Sequence, residues 1–345
     1  MYDTVVRHTN SPAPGPVLPP AAVHARGLTK RYGDIWALRD LDLDVPRGTV
    51  LGLLGHNGAG KTTAIRILTT LAVPTAGTAA VAGHDVATRG HLVRRRIGVA
   101  AQQATVDQLL TGKGNLVMVG RLYGLHRRDA ARRADELLEQ FGLAEQAGDL
   151  VKTFSGGMRR RLDLAASLVP RPSVLFLDEP TTGLDPRSRG DLWDTLRDLV
   201  RDGTTIVLTT QYLEEADRLA DDIVVLDHGR TVAHGTPAAL KAEVGGDRID
   251  IAVAGPADLP VALAATERFA ARPAVADHDA RLVTVPVAAG VRLIDVVRAL
   301  DDAGVDAVDA NRRGASLDDV FLTLTSPSPT TPAPKISTAP EEVPA

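Results

Sequence analysis

Gly55-His56-Asn57-Gly58-Ala59-Gly60-Lys61-Thr62 is the stretch that decides the reading of this chain. The apolar run Thr49–Leu54 feeds into it. Behind it Ala64, Ile65, Ile67, Leu68 and Leu71 recur at helical spacing, and Pro74 marks the stop. Strand, glycine loop and helix in that order are the context in which such a loop holds phosphate. Glycines at 55, 58 and 60 let the backbone curl so that successive N–H groups point inward, and the helix start adds a partial positive charge. Lys61 is expected to reach the β- and γ-phosphates of a nucleotide. At ~4 Å and an effective dielectric of ~20, each such charge pair is worth roughly 4 kcal/mol before desolvation. Thr62 offers a hydroxyl where a Mg2+ ion bridging those phosphates would sit. His56, Asn57, Ala59 and Thr63 complete the cradle.

Two further stretches lie downstream. Val174–Leu177 is a continuous apolar run of the length of a buried central strand, and it ends in Asp178 and Glu179. Ligands bind at that edge of an open α/β sheet. Asp178 is assigned to magnesium and Glu179 to orienting or deprotonating an attacking water. Taken alone, Asp-Glu-Pro could be a strand followed by a turn; downstream of the glycine loop the functional reading prevails. Ser155-Gly156-Gly157 opens a helix just before that strand. Ser155 is a good N-cap, and the two glycines let a ligand approach bare N–H groups. In isolation this is equally an ordinary capped helix.

Around these sites, strands and helices alternate: helix Ser155–Leu168, strand Val174–Leu177, helix Ser188–Arg201, strand Thr205–Thr209 and helix Leu213–Ala220. That predicts a mainly parallel sheet covered by helices. Strands are predicted at Val23–Arg26 and Trp36–Val45, a helix at Arg127–Phe141, and a closing hairpin at Ile223–Leu226 and Thr231–Ala233. From Gly245 the order changes to strand Arg248–Ala254, helix Leu259–Ala271, strands Val275–Ala276 and Leu282–Val287, helix Arg292–Ala303 and strand Val305–Asp309. This βαββαβ order fits a small split-βαβ sandwich. Ser316-Leu-Asp-Asp319 resembles a capping box opening a last helix, Leu317–Leu324. The expected organisation is a disordered arm at 1–21, a first domain at 22–244, a small α+β domain at 245–325, and a disordered proline-rich tail at 326–345. The lack of aromatic pocket residues in the small domain points to a packing or dimer-stabilising role.

With 345 residues and 44% hydrophobic content, the chain suits two soluble domains. It has no cysteine, so disulfides, thiolate metal sites and cysteine nucleophiles are excluded. A net charge of −4 offers no electrostatic footprint for nucleic acid, which is not expected as a partner. The run Arg94-Arg95-Arg96 reads as a solvated face. No apolar stretch approaches the ~18 residues of a membrane span, and no signal peptide is legible. If the protein works at a membrane, another polypeptide provides the spans.

Together the three stretches resemble the ATP-binding-cassette (ABC) family over residues 22–244. The fold so implied is a P-loop NTPase nucleotide-binding domain, with a RecA-like core, an antiparallel β subdomain and a helical subdomain. Within the family the chain resembles the ATPase subunits of daunorubicin-resistance-type exporters, which carry a similar C-terminal domain ending in a stretch like Ala315-Ser-Leu-Asp-Asp-Val-Phe-Leu322. The resemblance implies that Tyr32 stacks on adenine and that Gln102, rather than Gln103, senses the γ-phosphate and magnesium. It also implies that Asp185 belongs to a loop crossing between subunits. Ser155 and Gly157 of one copy would close over ATP held by Lys61 of another, so that a homodimer sandwiches two nucleotides. Two motifs depart from the family pattern. The signature reads Phe154-Ser-Gly-Gly-Met158 where the family usually has Leu-Ser-Gly-Gly-Gln, and Gln211 replaces the usual switch histidine. A glutamine amide can donate a hydrogen bond to the γ-phosphate but cannot carry charge.

The function so implied is ATP hydrolysis at the cytoplasmic face of the membrane, powering a separate integral-membrane permease that exports a drug-like or lipid-like natural product. Gln102–Tyr123 is the candidate docking surface for that permease. The alternative is a soluble regulatory ATPase that uses ATP-dependent dimerisation without transport.

Overall fold

The structure is a computed structural model describing residues 21–101, 105–244, 247–288, 290–314 and 316–325. Gln102, Gln103, residues 1–20 of the predicted arm and the predicted tail 326–345 lie outside the described residues. The chain divides into two compact units, residues 1–242 and 243–345.

The first unit is built on β1 (Val23–Tyr32), β2 (Ile35–Val45), β3 (Val50–Leu54), α1 (Lys61–Leu68), β4 (Ala76–Val81), β5 (His84–Asp85), α2 (Gly90–Arg94) and β6 (Ile97–Ala100). It continues through α3 (Gly112–Leu122), α4 (Arg127–Gln140), α5 (Gly156–Leu168), β7 (Val174–Asp178), α6 (Pro186–Arg201) and β8 (Thr205–Thr210). Then follow α7 (Leu213–Leu219), β9 (Asp222–Asp227), β10 (Arg230–Gly235) and α8 (Pro237–Val244). One antiparallel sheet runs β2-β1-β4-β5; a six-stranded sheet runs β10-β9-β3-β8-β7-β6. In the larger sheet every pairing is parallel except β9 with β10.

The parallel strands are apolar along their length because both faces are covered. Val174, Phe176, Val207, Leu51 and Leu53 pack toward α1 and the antiparallel sheet. Leu175, Leu177, Ile206 and Leu208 pack on the other face, with Leu192, Leu196 and Leu199 of α6. This double-sided burial puts the C-terminal ends of β3, β7 and β8 side by side, with Leu54 opposite Thr210 and Asp178 opposite Thr209.

Three local expectations shift. α1 stops at Leu68: the Thr69 hydroxyl donates back to the Ile65 carbonyl at 2.8 Å, Thr70 turns left-handed (φ 66°), and Leu71 stands exposed beyond the helix. β1 runs on from Arg26 to Tyr32, because register shifts against β2 absorb its polar half. β4 was invisible as a strand, since Ala-Gly-Thr-Ala-Ala-Val has little of the β-branched or aromatic character that marks one.

The second unit comprises β11 (Arg248–Val253), α9 (Asp258–Thr266), β12 (Val275–Asp277), β13 (Leu282–Pro286), α10 (Leu293–Asp302), β14 (Ala307–Arg313) and α11 (Leu317–Thr325). Its antiparallel sheet runs β12-β13-β11-β14, the split-βαβ topology. Ile249, Ile251 and Val253 alternate with polar neighbours along β11, and together with Val283 and Val285 they face Leu259, Val296 and Leu300. α11 opens as expected from its sequence: Asp319 N–H donates to Ser316 Oγ at 3.2 Å, and Ser316 N–H donates to Asp319 Oδ2 at 2.9 Å. Among the described residues, no helix of the chain is long and apolar enough to cross a membrane.

Candidate functional site

β3 delivers the chain into the glycine loop at the C-terminal edge of the six-stranded sheet. Gly58 and Gly60 adopt left-handed backbone (φ 87° and 111°). A Cβ at Gly60 would lie 2.4 Å from the Ala37 carbonyl oxygen, and one at Gly55 would lie 2.4 Å from that of Leu226. The curl therefore needs glycine for space as well as for dihedral freedom. α1 begins at Lys61, so its free N–H groups face the hollow of the loop.

Lys61 is buried. Its Nζ donates to the carbonyls of Gly55 (2.7 Å) and His56 (3.2 Å) and stands 3.8 Å from Glu179 Oε1. Burial pulls its ammonium below the usual lysine range, while the charges of Glu179 and Asp178 oppose that shift. Thr62 Oγ1 donates to Asp178 Oδ1 at 3.4 Å, and Thr209 Oγ1 donates to the same oxygen at 2.5 Å. Hydroxyl and carboxylate together make an all-oxygen donor set at a helix start, which fits a hard divalent cation such as magnesium.

Glu179 follows directly on β7, with a left-handed backbone (φ 50°) that is rare for a residue with a side chain. Its N–H donates to both the carbonyl and the hydroxyl of Thr209, each at 3.1 Å, and Thr182 Oγ1 donates to its Oε2 at 3.3 Å. The strained turn aims the carboxylate back across the loop toward Lys61. Four of the residues singled out in the sequence, Lys61, Thr62, Asp178 and Glu179, thus meet in one place.

Thr209 and Arg160 were missed by sequence reasoning. Thr209 is fully buried and braces both carboxylate-bearing residues. Arg160, on α5, is buried and donates to the backbone carbonyls of Ala101, Asp178, Glu179 and Pro180. A basic residue in a polar helical turn reads as surface, so no sequence signal marked it.

The remaining residues stand apart from this cluster. Ser155 caps α5, accepting the Met158 N–H at 3.2 Å, and both Ser155 and Gly156 are exposed. Asp185 caps α6, accepting the Ser188 N–H (3.0 Å) and hydroxyl (2.6 Å). Those bonds, the hydroxyl's first, hold its carboxyl below the usual range. A Cβ on Gly157 would lie 3.2 Å from Ser188 Oγ, the hydroxyl that bonds Asp185, so the Ser155–Gly157 turn and the start of α6 are neighbours. Tyr32 ends β1 with its ring half-exposed, Lys30 Nζ lying 4.9 Å from the ring centre. Gln211 is exposed just past the end of β8. Asn57 and Gly58 lie exposed in the loop, and Ala59 is buried beneath it. Thr63 sits half-buried on α1. Gln102 lies outside the described residues.

The sequence pattern described as ABC transporter matches residues 38–182. Daunorubicin resistance ATP-binding protein DrrA3 of Streptomyces coeruleorubidus is 53% identical over 305 residues, covering 88% of this chain and 96% of that protein. Among solved structures, cbiO1 from Clostridium perfringens, part of the ABC transporter complex cbiONQ, matches with a TM-score of 0.61 and 25% identity, over 65% of this chain and 92% of that one. A dimeric post-hydrolysis ATP-binding cassette bound to ADP and Pi matches with a TM-score of 0.57 and 25% identity, over 62% of this chain and 98% of that one.

Proposed function

The chain belongs to the ABC transporter family and is an ATP-binding, ATP-hydrolysing subunit; we propose that two copies work head to tail beneath a membrane-spanning permease to export an amphipathic natural product. The observation that carries the reading is the convergence of Lys61, Thr62, Asp178 and Glu179 at the edge of the sheet. Lys61 exchanges the Gly55 and His56 carbonyls for phosphate oxygens when nucleotide enters the loop. Thr62 and Asp178 would hold magnesium, which would supply positive charge against the β- and γ-phosphates. Glu179, held by Thr209 and Thr182, accepts a proton from the attacking water. Tyr32 would stack on the adenine, Gln102 would offer its amide oxygen to the magnesium beside the γ-phosphate, and Gln211 would donate an amide N–H to the γ-phosphate.

The exposed surface of Ser155–Gly157 and Asp185 supports the dimer. Capped helix starts with free N–H groups turned to solvent are suited to a phosphate brought by a second copy. The relative named for daunorubicin resistance supports a drug-like cargo.

A groove of about 990 Å³ that takes in Leu122 and Tyr123, the end of the Gln102–Tyr123 segment, supports that end as part of a permease docking site at the cytoplasmic face. Leu122, Tyr123, Arg94, Arg95, Arg132 and Arg171 help to line it. Leu122 is 79% exposed, an apolar anchor without cover in the isolated chain. The run Arg94–Arg96 is thus exposed as expected, with its first two members turned to a concave surface that suits an acidic loop bearing an apolar tip.

The test is affinity purification of the chain from detergent-solubilised native membranes. A polytopic protein in comparable amount is expected, and Arg95→Glu with Arg132→Glu should reduce its recovery while ATP hydrolysis by the isolated chain persists. A chain recovered only from the soluble fraction, dimeric with ATP and without a membrane partner, would replace transport with the regulatory reading.

A further inference from the structure

The second residue of the phosphate loop is a histidine, and it meets the turn between β9 and β10. That turn is two residues long: His228 and Gly229 both have positive φ (45° and 77°), the signature of a type I′ hairpin. The turn is anchored, because Gly229 N–H donates to the Ala59 carbonyl of the phosphate loop at 3.0 Å and Arg39 N–H donates to the Gly229 carbonyl at 2.7 Å. A Cβ at Gly229 would lie 2.9 Å from the Ala37 carbonyl oxygen, so the turn cannot be displaced without disturbing β2.

Three side chains converge there. His56 Nε2 lies 2.7 Å from Asp227 Oδ1, and His228 Nε2 lies 3.9 Å from the same oxygen. One ligand atom from each of the three side chains lies within 4.8 Å of the others, and the two imidazole rings meet edge to face with centroids 5.2 Å apart. The other nitrogen of His56, Nδ1, lies 2.7 Å from the Asn57 carbonyl oxygen. A carbonyl can only accept, so Nδ1 carries the proton, and the neutral ring presents the Nε2 lone pair to a carboxylate that is also an acceptor. At 2.7 Å the pair is spaced for a hydrogen bond through a second ring proton, and a modest widening would let the two atoms share a metal ion instead. A histidine that donates its far N–H to a backbone carbonyl is oriented as metal-ligating histidines are.

We propose that His56, Asp227 and His228 form a binding site for a late first-row divalent cation, with zinc the best match, that links the phosphate loop to the β9–β10 turn. Two imidazoles and one carboxylate are the donors such cations take, whereas magnesium prefers oxygen alone. Tetrahedral ligation at ~2.0–2.1 Å spaces the ligand atoms roughly 3.3–3.4 Å apart. The observed 2.7 and 3.9 Å lie on either side of that spacing. The exposed His228 side chain closes the difference by rotation, and water completes the shell. This site is separate from the Thr62–Asp178 oxygen pair, and its donors differ in kind.

The test uses the full chain without an affinity tag and without nucleotide, titrated with Co2+ as a spectroscopic stand-in for zinc. One tight equivalent is expected, with visible d–d bands that zinc bleaches and magnesium leaves unchanged. His228→Asn keeps a residue that tolerates left-handed backbone, and it should weaken Co2+ at least tenfold while ATP binding persists. Asp227→Asn should weaken it likewise. His234→Ala, which removes the partner of Asp222 at 2.7 Å on the same hairpin, should leave the affinity unchanged. Absence of the bands from the parent chain, or unchanged Co2+ affinity in His228→Asn, would overturn the proposal.

Discussion

Lys61 Nζ stands 3.8 Å from Glu179 Oε1, and the two side chains are only 4% and 10% exposed. The ammonium is thus held by the groups it works beside: two loop carbonyls and the carboxylate assigned to the attacking water. Nucleotide entry replaces one set of anionic and dipolar partners with another, so the lysine needs little rearrangement to bind phosphate. Removing it forfeits a charge–phosphate interaction of roughly 4 kcal/mol before desolvation. Lys61→Ala is therefore expected to lower ATP affinity by at least ~100-fold, read by equilibrium dialysis with labelled nucleotide. Affinity within threefold of the parent would remove Lys61 from the phosphate site.

Glu179→Gln preserves size and leaves the backbone bonds to Thr209 available, so ATP binding should persist. Turnover should drop by ~10²–10⁴-fold, the usual contribution of a positioned general base. Phosphate release measured under saturating ATP decides it; parental turnover would transfer the role to another residue.

Thr209 offers a subtler check on the same carboxylates. Thr209→Val removes the hydroxyl that donates to Asp178 and accepts from Glu179 N–H. The expected loss lies in turnover and in the magnesium concentration needed for half-maximal rate, with ATP affinity changed less than in Lys61→Ala. Kinetics across a magnesium series separate these effects, and an unchanged series would make the hydroxyl purely structural.

Gln211 sits just beyond β8 where the family usually has a histidine. Gln211→His restores a side chain able to carry charge near the γ-phosphate, and hydrolysis equal to or faster than the parent is expected. A large loss in steady-state rate would mean that the site depends on the amide itself.

Glu215, fully buried on α7, receives a hydrogen bond from Trp193 Nε1 at 3.2 Å. Burial pushes its carboxyl above the usual range, with the Trp193 hydrogen bond and the charge of Arg160 opposing. The folded chain therefore binds this proton more tightly than the unfolded chain does. The associated stability is complete below the unfolded value and is lost as pH rises through the folded one. Glu215→Gln should melt at a higher temperature than the parent in alkaline buffer, with the gap closing on mild acidification. A pH-independent gap in scanning calorimetry would place the effect in packing.

The strand–loop–helix register, the βαββαβ order of the second unit and the Ser316–Asp319 cap were legible because each rests on local periodicity or on a fixed offset between a few residues. Asp178 and Glu179 were legible because an apolar strand must end somewhere, and the glycine loop indicates where. Arg160, Thr209 and the His56–Asp227–His228 convergence were not. Each depends on residues dozens of positions apart that only the closed sheet brings together, and an arginine or threonine gives no sign from its own neighbourhood that it is buried. β4 failed for the opposite reason, since its small residues carry little pattern of either period.

Arg160 makes α5 and the end of β7 a single lever. The helix that Ser155 caps carries, five residues on, a guanidinium holding the carbonyls of Asp178, Glu179 and Pro180. In the proposed head-to-tail pair, Ser155 would serve the partner's nucleotide while Glu179 would serve its own chain's. In that arrangement this one guanidinium would tie the turn facing the partner's nucleotide to the carboxylate facing its own, within a single chain.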